Sequence, residues 1–385
     1  MRYLFLAFMS LGMAEPLKVE VKAQAAVLMN ADTGAILYEK EGYTSAYPGS
    51  TTKIATALYV LDEKKVDLNQ KVKVSEEAIK YHPSKVKPDD IPSHRLGKDG
   101  TRMWLAKSEV LRVEDLMYGL MLISGNDAAN AVAEAVSGTI PKFMEELNDY
   151  LKRIGCNHTF FNNPHGYHHS QHKTTPYDLC LMMKKGLENP IFCKFIRTES
   201  VTIPKTNGSP PRELKQSNFF MRQDKKSYYP KALGGKTGRT EKGGWCLVSA
   251  AEQDGRKLIA CVFGCSTMAA RFAETRKLFE AAFAEKRVEK ILVPNYQTFE
   301  KQLLGAKTPL KATLRGDVKL TFFPSEEPKV KALVYWDPPS FPIRKGDRVG
   351  EVRVVDDAGE ILTSESLIAT EEVVVTFWHR FKRLF

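Results

Sequence analysis

The 385-residue sequence contains no Cys-x-x-Cys pair, no helical His-Glu-x-x-His segment, no Walker-type glycine loop and no RNA-binding aromatic motif. Those absences remove the usual signatures of a paired-thiol site, a helical zinc site, a nucleotide phosphate cradle and a nucleic-acid interface. No metal and no organic cofactor is therefore expected. Acidic residues are also in deficit: 46 Asp and Glu stand against 57 Lys and Arg, a formal net charge of +11. A basic surface suits an anionic membrane or a polyanionic matrix, although ordinary solvated lysines account for it equally well. The six cysteines (156, 180, 193, 246, 261 and 265) mostly sit in apolar segments, so buried free thiols are the default. Their pairing stays open.

What is present begins with an N-terminal apolar run, residues 3–13, too short to cross a bilayer as a helix. With Arg2 before it and the small residues Gly12 and Ala14 behind it, the run reads as an export signal cut near residue 14. A buried N-terminal strand is the alternative. Residues 24–30 and 35–40 are two extended runs around Asp32-Thr33-Gly34, a hairpin pattern. Further helices are expected over 111–123, 127–136, 140–154, 176–187 and 270–285, and strands over 244–251 and 257–264. From about 288 onward, short β-favouring runs divided by Pro- and Gly-rich turns indicate a small all-β domain. The tail 371–385 sets Val374, Phe377, Trp378, Phe381 and Leu384 opposite His379, Arg380, Lys382 and Arg383. That pattern suits a helix lying on an anionic membrane, or one docked on the β domain.

Three short constellations carry chemistry. In Tyr47-Pro48-Gly49-Ser50-Thr51-Thr52-Lys53, Pro48 and Gly49 end an extended segment, and Ile54, Ala57, Leu58 and Leu61 recur at helical spacing. A three-residue offset places Ser50 and Lys53 on one face, a hydroxyl beside an amine. Burial would lower the lysine pKa enough for the amine to accept a proton. Serine is a favoured N-cap residue, and Ser-x-x-Lys also occurs at Ser84 and Ser170 in polar surroundings, so this motif alone does not decide. The second is Ser124-Gly125-Asn126, on a turn between two apolar helices; the third is Lys236-Thr237-Gly238, on or just ahead of a hairpin strand. Ser-x-Asn and Lys-Thr-Gly each occur once in the chain. Four of the eight histidines fall in 165–172, which reads as a polar loop on the rim of a site. Residues 80–102 form a long polar loop rich in Pro, Lys and Asp.

Taken together, the ordered motifs, the hairpin before Ser50, His165-Gly166, Tyr177-Asp178-Leu179 and the Lys345-Gly346-Asp347 turn resemble the low-molecular-mass penicillin-binding proteins. These are the D-alanyl-D-alanine carboxypeptidases of the S11 peptidase type. The resemblance implies an α+β catalytic domain over 15–288, with a central antiparallel sheet flanked by helices, then an all-β domain over 289–370 and a membrane-anchoring helix over 371–385. It implies that Ser50 attacks the bond between two terminal D-alanines of a peptidoglycan stem peptide, with Lys53 as base. Backbone N–H groups of Ser50 and Arg239 would form the oxyanion hole, and Ser124 with Lys236 would protonate the leaving amine. Asn126 would hold the substrate amide; Thr237 and Arg271, beside Gly238, would bind the terminal carboxylate, with Arg222 assisting. β-Lactams would be covalent inhibitors, and the protein would work at the periplasmic face of the cytoplasmic membrane. Position 239 is arginine where several relatives carry histidine. A class A β-lactamase would need a deacylating glutamate on a loop between the second and third motifs, and no Glu-x-x-x-Asn stands in a loop there, since Glu145 and Glu146 belong to a helix. An endopeptidase cutting cross-links, and a non-catalytic peptidoglycan- or membrane-binding module, stay open.

Overall fold

The computed structural model describes residues 14–83, 86 and 91–374. The apolar run 3–13 and the tail beyond 374 lie outside the described residues. The chain forms two compact units, Leu17–Ala284 and a second that begins at Glu285.

In the first unit, β1 (Ala25–Asn30) and β2 (Ile36–Lys40) form the expected antiparallel hairpin. Its turn is closed by Asn30, whose Oδ1 accepts from the N–H groups of Asp32 and Thr33 at 2.9 Å each. A 3₁₀ turn, Gly49–Thr52, then runs into α1 (Lys53–Leu58), which widens to a π turn at Tyr59–Glu63. The short ladder of β3 (Lys71–Lys73) and β4 (Val110–Arg112) precedes α2 (Val113–Met121), α3 (Asn126–Ser137), α4 (Ile140–Arg153), α5 (Pro176–Leu187) and α6 (Pro190–Arg197). A second small hairpin, β5 (Ser200–Ile203) and β6 (Arg212–Lys215), leads to β7 (Ala232–Thr240), β8 (Gly244–Gln253), β9 (Arg256–Cys265) and α7 (Met268–Phe283).

The main sheet has the order β2-β1-β9-β8-β7, every pair antiparallel. Period-two alternation sends Val27, Met29, Val248, Ile259 and Phe263 to one apolar cluster with α1 to α6, and Ala26, Leu28, Leu247, Leu258 and Val262 to another with α7. Because both faces are covered, the central strands read as continuous apolar runs. The result is the expected α+β architecture. Every residue of α1 is buried, so the helix that starts beside Ser50 runs through the helical lobe rather than over it.

The Lys-Thr-Gly motif has its own strand, β7, ahead of the hairpin that the sequence suggested. Its glycines serve the strand: a Cβ on Gly235, at φ 152°, would meet the Val248 carbonyl oxygen at 2.2 Å. Only glycine lets β7 lie this close to β8. Helix α6 also escaped the sequence reading, although Asn189 caps it by accepting from Ile191 N and Phe192 N, and Pro190 occupies its first turn.

The second unit is all-β. β10 (Val288–Val293) pairs with β13 (Val318–Phe322), and the main sheet runs β11 (Thr298–Lys301), β12 (Leu310–Leu314), β16 (Ile361–Ala369), β15 (Arg348–Asp356), β14 (Val330–Trp336). Alternating Leu310, Ala312, Leu314 and Val330, Ala332, Val334 fill its core. Strands β10 and β11 were missed because the first buries almost nothing along its length and the second has four residues, so neither shows a clear apolar period.

Candidate active site

Ser50 sits in the 3₁₀ turn, one turn before Lys53, and the turn is pressed against β7. A Cβ on Gly49, at φ 55°, would stand 2.8 Å from the backbone N of Arg239. Glycine therefore sets how near Ser50 comes to the strand that carries Lys236 and Thr237.

The Lys53 side chain is fully buried and its Nζ has three neighbours: Asn126 Oδ1 at 2.7 Å, the His165 carbonyl oxygen at 2.7 Å and Ser50 Oγ at 3.0 Å. Burial holds its pKa well below 10.5, the nearby Lys236 charge pushes the same way, and Asp127 opposes them. A neutral amine has two N–H groups and one lone pair. The two carbonyl oxygens take the N–H groups, which leaves the lone pair for the Ser50 hydroxyl.

Ser124 lies in the turn between α2 and α3 with φ +66°, a left-handed conformation that a non-glycine residue adopts at some cost. Its carbonyl oxygen accepts from Thr101 Oγ1 at 2.6 Å, and its Oγ lies 3.0 Å from Lys236 Nζ. Lys236 is fully buried, and burial followed by the Arg271 charge brings its pKa down to about 7. Two lysines that face two serines from the dry side thus share one site.

Arg271, on α7, is buried at 5% exposure. Its Nη1 donates to the Gly238 carbonyl oxygen at 3.4 Å and its guanidinium lies 5.0 Å from the Trp245 ring centre. Among the described residues no carboxylate pairs with it and its Nε has no hydrogen-bond partner. A buried cation with no carboxylate beside it has the chemistry to receive an anion from the cleft. Thr237 Oγ1 lies 3.2 Å from Ser217 Oγ. Ser50, Ser124, Asn126, Thr237, Arg239 and Arg271 all line a cleft of about 540 Å³, with Gly238 in its wall. Arg222 does not line it; its guanidinium is held by Asp224 at 2.9 and 2.6 Å.

Two features were not legible in the sequence. Ser217 and Trp245 line the cleft, and no local pattern marks either one. The 165–172 segment is more than a rim. Its His165 carbonyl oxygen holds Lys53, and His172 is buried behind Ser50 with Nε2 2.8 Å from Thr52 Oγ1 while its Nδ1 accepts from Asn162 N at 3.0 Å. Burial lowers the His172 pKa to about 3, so the ring is neutral and donates through Nε2 to Thr52, which in turn donates to the Gly49 carbonyl oxygen at 2.8 Å. Among the described residues no three His, Cys, Asp or Glu side chains group as a metal site. The six cysteines are free thiols, five of them buried.

Buried Lys236 has a measurable consequence for stability. Between about pH 7 and 10.5 the unfolded chain keeps this proton and the folded chain does not, so stability rises with pH across that window. Denaturant unfolding at pH 7 and pH 9.5 is expected to show a steeper gain for the wild type than for Lys236→Met. Equal gains would mean that the lysine is charged in the folded state.

A family model described as D-alanyl-D-alanine carboxypeptidase, peptidase S11, matches residues 12–267. The chain is 29% identical over 381 residues to the Bacillus subtilis D-alanyl-D-alanine carboxypeptidase DacF, covering 94% of this chain and 91% of that protein. It is 28% identical to DacA of Haemophilus influenzae over 92% of this chain and 86% of the relative. Among solved structures, penicillin binding protein 5 from Haemophilus influenzae matches with a TM-score of 0.63 at 26% identity, covering 94% of this chain and all of that one. The carboxypeptidase DacD from Francisella tularensis shares the fold with a TM-score of 0.64 at 23% identity, covering 96% of this chain and 98% of that one.

Proposed function

Because the chain belongs to the D-alanyl-D-alanine carboxypeptidase family, peptidase S11, we propose that Ser50 is the nucleophile with which it removes the terminal D-alanine of peptidoglycan stem peptides. It is a serine-type hydrolase of the penicillin-binding class. The observation that carries the residue assignment is the Lys53 amine, dry, held by two carbonyl oxygens and 3.0 Å from Ser50 Oγ.

In this reading Ser50 Oγ attacks the carbonyl carbon between the two D-alanines, and its proton passes to the Lys53 amine. The negative oxygen of the tetrahedral species faces the backbone N–H groups of Ser50 and Arg239. The C–N bond breaks, the leaving amine takes a proton through Ser124 and Lys236, and D-alanine departs. Its carboxylate is held by Thr237 and Arg271. Water then cleaves the Ser50 ester and releases the shortened peptide. In a β-lactam the broken amide belongs to a ring, so the amine stays tethered and the ester outlives it. The Asn126 side chain, whose Oδ1 receives Lys53, presents its amide to the substrate backbone.

Arg271→Gln is expected to lower kcat/KM on a D-alanyl-D-alanine peptide by about a hundredfold, the scale of one charge-assisted hydrogen bond pair. A peptide amidated at its C-terminus should be nearly insensitive to the change. Equal sensitivity of the two peptides would remove Arg271 from the carboxylate site.

The basic amphipathic pattern of 371–385 supports a peripheral place on an anionic membrane, on the side where peptidoglycan lies. Among the described residues no helix is long and apolar enough to cross a membrane. The assignment as a whole is tested by intact mass after exposure to benzylpenicillin, together with release of D-alanine from a pentapeptide. Absence of both sinks it.

A further inference from the structure

The long loop after residue 80 contains a feature that the chemistry of bond cleavage does not use. Trp104 is 69% exposed and holds φ +62°, a conformation unfavourable for a bulky side chain. The backbone is fastened there from three directions. Met103 N donates to Asp127 Oδ1 at 2.8 Å, Leu105 N to Asp127 Oδ2 at 3.0 Å, and Arg212 Nη2 to the Trp104 carbonyl oxygen at 3.1 Å. Arg212 is itself fixed by the buried Glu109 carboxylate at 2.7 and 2.8 Å. Glycine would relieve the backbone and polar residues would suit the solvent. Instead, buried charged groups hold an indole out in water.

The indole does not stand alone. The Arg102 guanidinium lies 4.3 Å from the Trp104 ring centre and 5.0 Å from that of Tyr81, and its Nη1 also donates to the Tyr81 hydroxyl. Tyr81 is 41% exposed. Tyr81, Arg102 and Trp104 thus form a row of flat groups that combines π faces, one positive charge and polar edges. Thr101, three residues before Trp104, lines the cleft with Ser50, so the row begins within about 10 Å of its wall along the chain. A strained residue held this firmly beside a binding site is a mark of function.

We propose that the Tyr81–Arg102–Trp104 row is a saccharide-binding platform that holds the glycan strand to which the stem peptide is attached. A pyranose ring offers a flat set of C–H bonds to the indole face and equatorial hydroxyl and acetamido oxygens to the guanidinium edge. The lactyl group through which the peptide joins such a glycan is an amide, and its ether and carbonyl oxygens can accept from the guanidinium N–H groups. A lipid surface would call for a contiguous apolar patch, and this row alternates aromatic and charged groups. The inference rests on the reading of the cleft as a D-alanyl-D-alanine peptidase site, and it makes the glycan-linked pentapeptide, rather than the free peptide, the preferred substrate.

The test compares wild type, Trp104→Ala, Trp104→Phe and Arg102→Gln on two substrates: free pentapeptide, and the same pentapeptide carried on soluble glycan strands. For wild type, KM is expected to be lower on the glycan-linked form. Trp104→Ala should raise that KM about tenfold with kcat unchanged. Trp104→Phe should recover part of the loss, and Arg102→Gln should share it. All four proteins should process free pentapeptide, and be acylated by benzylpenicillin, at the same rate. Equal KM values for the two substrates in wild type, or a Trp104→Ala loss that is the same on both, overturns the platform. Failure of wild type to cleave either substrate would instead overturn the peptidase reading.

Discussion

Replacing Ser50 by alanine is expected to abolish the benzylpenicillin adduct and to reduce D-alanine release by about 10⁶-fold, the scale seen when a serine nucleophile is removed. Stability should hardly change. Ser50 is half-buried at the cleft, and among the described residues its Oγ has one hydrogen-bond partner, Lys53 Nζ at 3.0 Å. The cleft is lined by two other serines, Ser124, whose Oγ lies 3.0 Å from Lys236 Nζ, and Ser217, whose Oγ lies 3.2 Å from the Thr237 hydroxyl. Neither lies in a turn pressed on β7 as Ser50 does. An adduct of unchanged mass on Ser50→Ala, mapped to Ser124 or Ser217, would move the nucleophile and undo the roles given to Lys53 and Asn126.

The second large effect falls on Lys53. Lys53→Met keeps the length and apolar stem but removes the proton acceptor, and acylation by benzylpenicillin is expected to fall by about 10³-fold. Two opposing terms act on folding. The variant no longer buries an amine, but it leaves Asn126 Oδ1 and the His165 carbonyl oxygen without this donor, each worth about 1–3 kcal/mol when buried. The rates therefore identify the role better than the melting temperature does. In wild type the acylation rate should climb with pH and level off well below 10.5, because the reacting form is the neutral amine and burial, aided by Lys236, favours that form. The Lys53→Met profile should lose this rise. A rise that survives the substitution would assign it to another group, with Lys236 first in line at about 7.

Much of the fold could be read from one-dimensional patterns. Helix α5 begins with Thr175 accepting from Asp178 N and Pro176 in its first turn, and its bounds are those the periodicity suggests. The hairpin of β1 and β2 announced itself through the Asp32-Thr33-Gly34 turn between two extended runs. Strand β7 did not, because a strand built on Gly234, Gly235 and Gly238 lacks the side chains by which strands are recognised; its reason for being a strand is the space left by β8. The role of 165–172 was hidden for a similar cause. A run of four histidines looks polar, yet His165 and His172 are fully or nearly fully buried, and the group that reaches Lys53 is a backbone carbonyl with no residue signature.

The order of residues along the chain determined the chemistry on offer: a hydroxyl and an amine one helical turn apart, a Ser-x-Asn turn and a Lys-Thr-Gly run. Those relations are local, set by the pitch of a helix and the reach of a turn, so they survive without knowledge of the rest of the molecule. Tertiary structure decided which groups are dry and which amine meets which serine. It brought Lys236 to Ser124 across 112 positions and His165 to Lys53 across the same number, left Arg271 buried with no carboxylate paired to it among the described residues, and committed Arg222 to Asp224. Desolvation and long-range contact depend on everything that packs around a side chain, and that is a property of the folded whole.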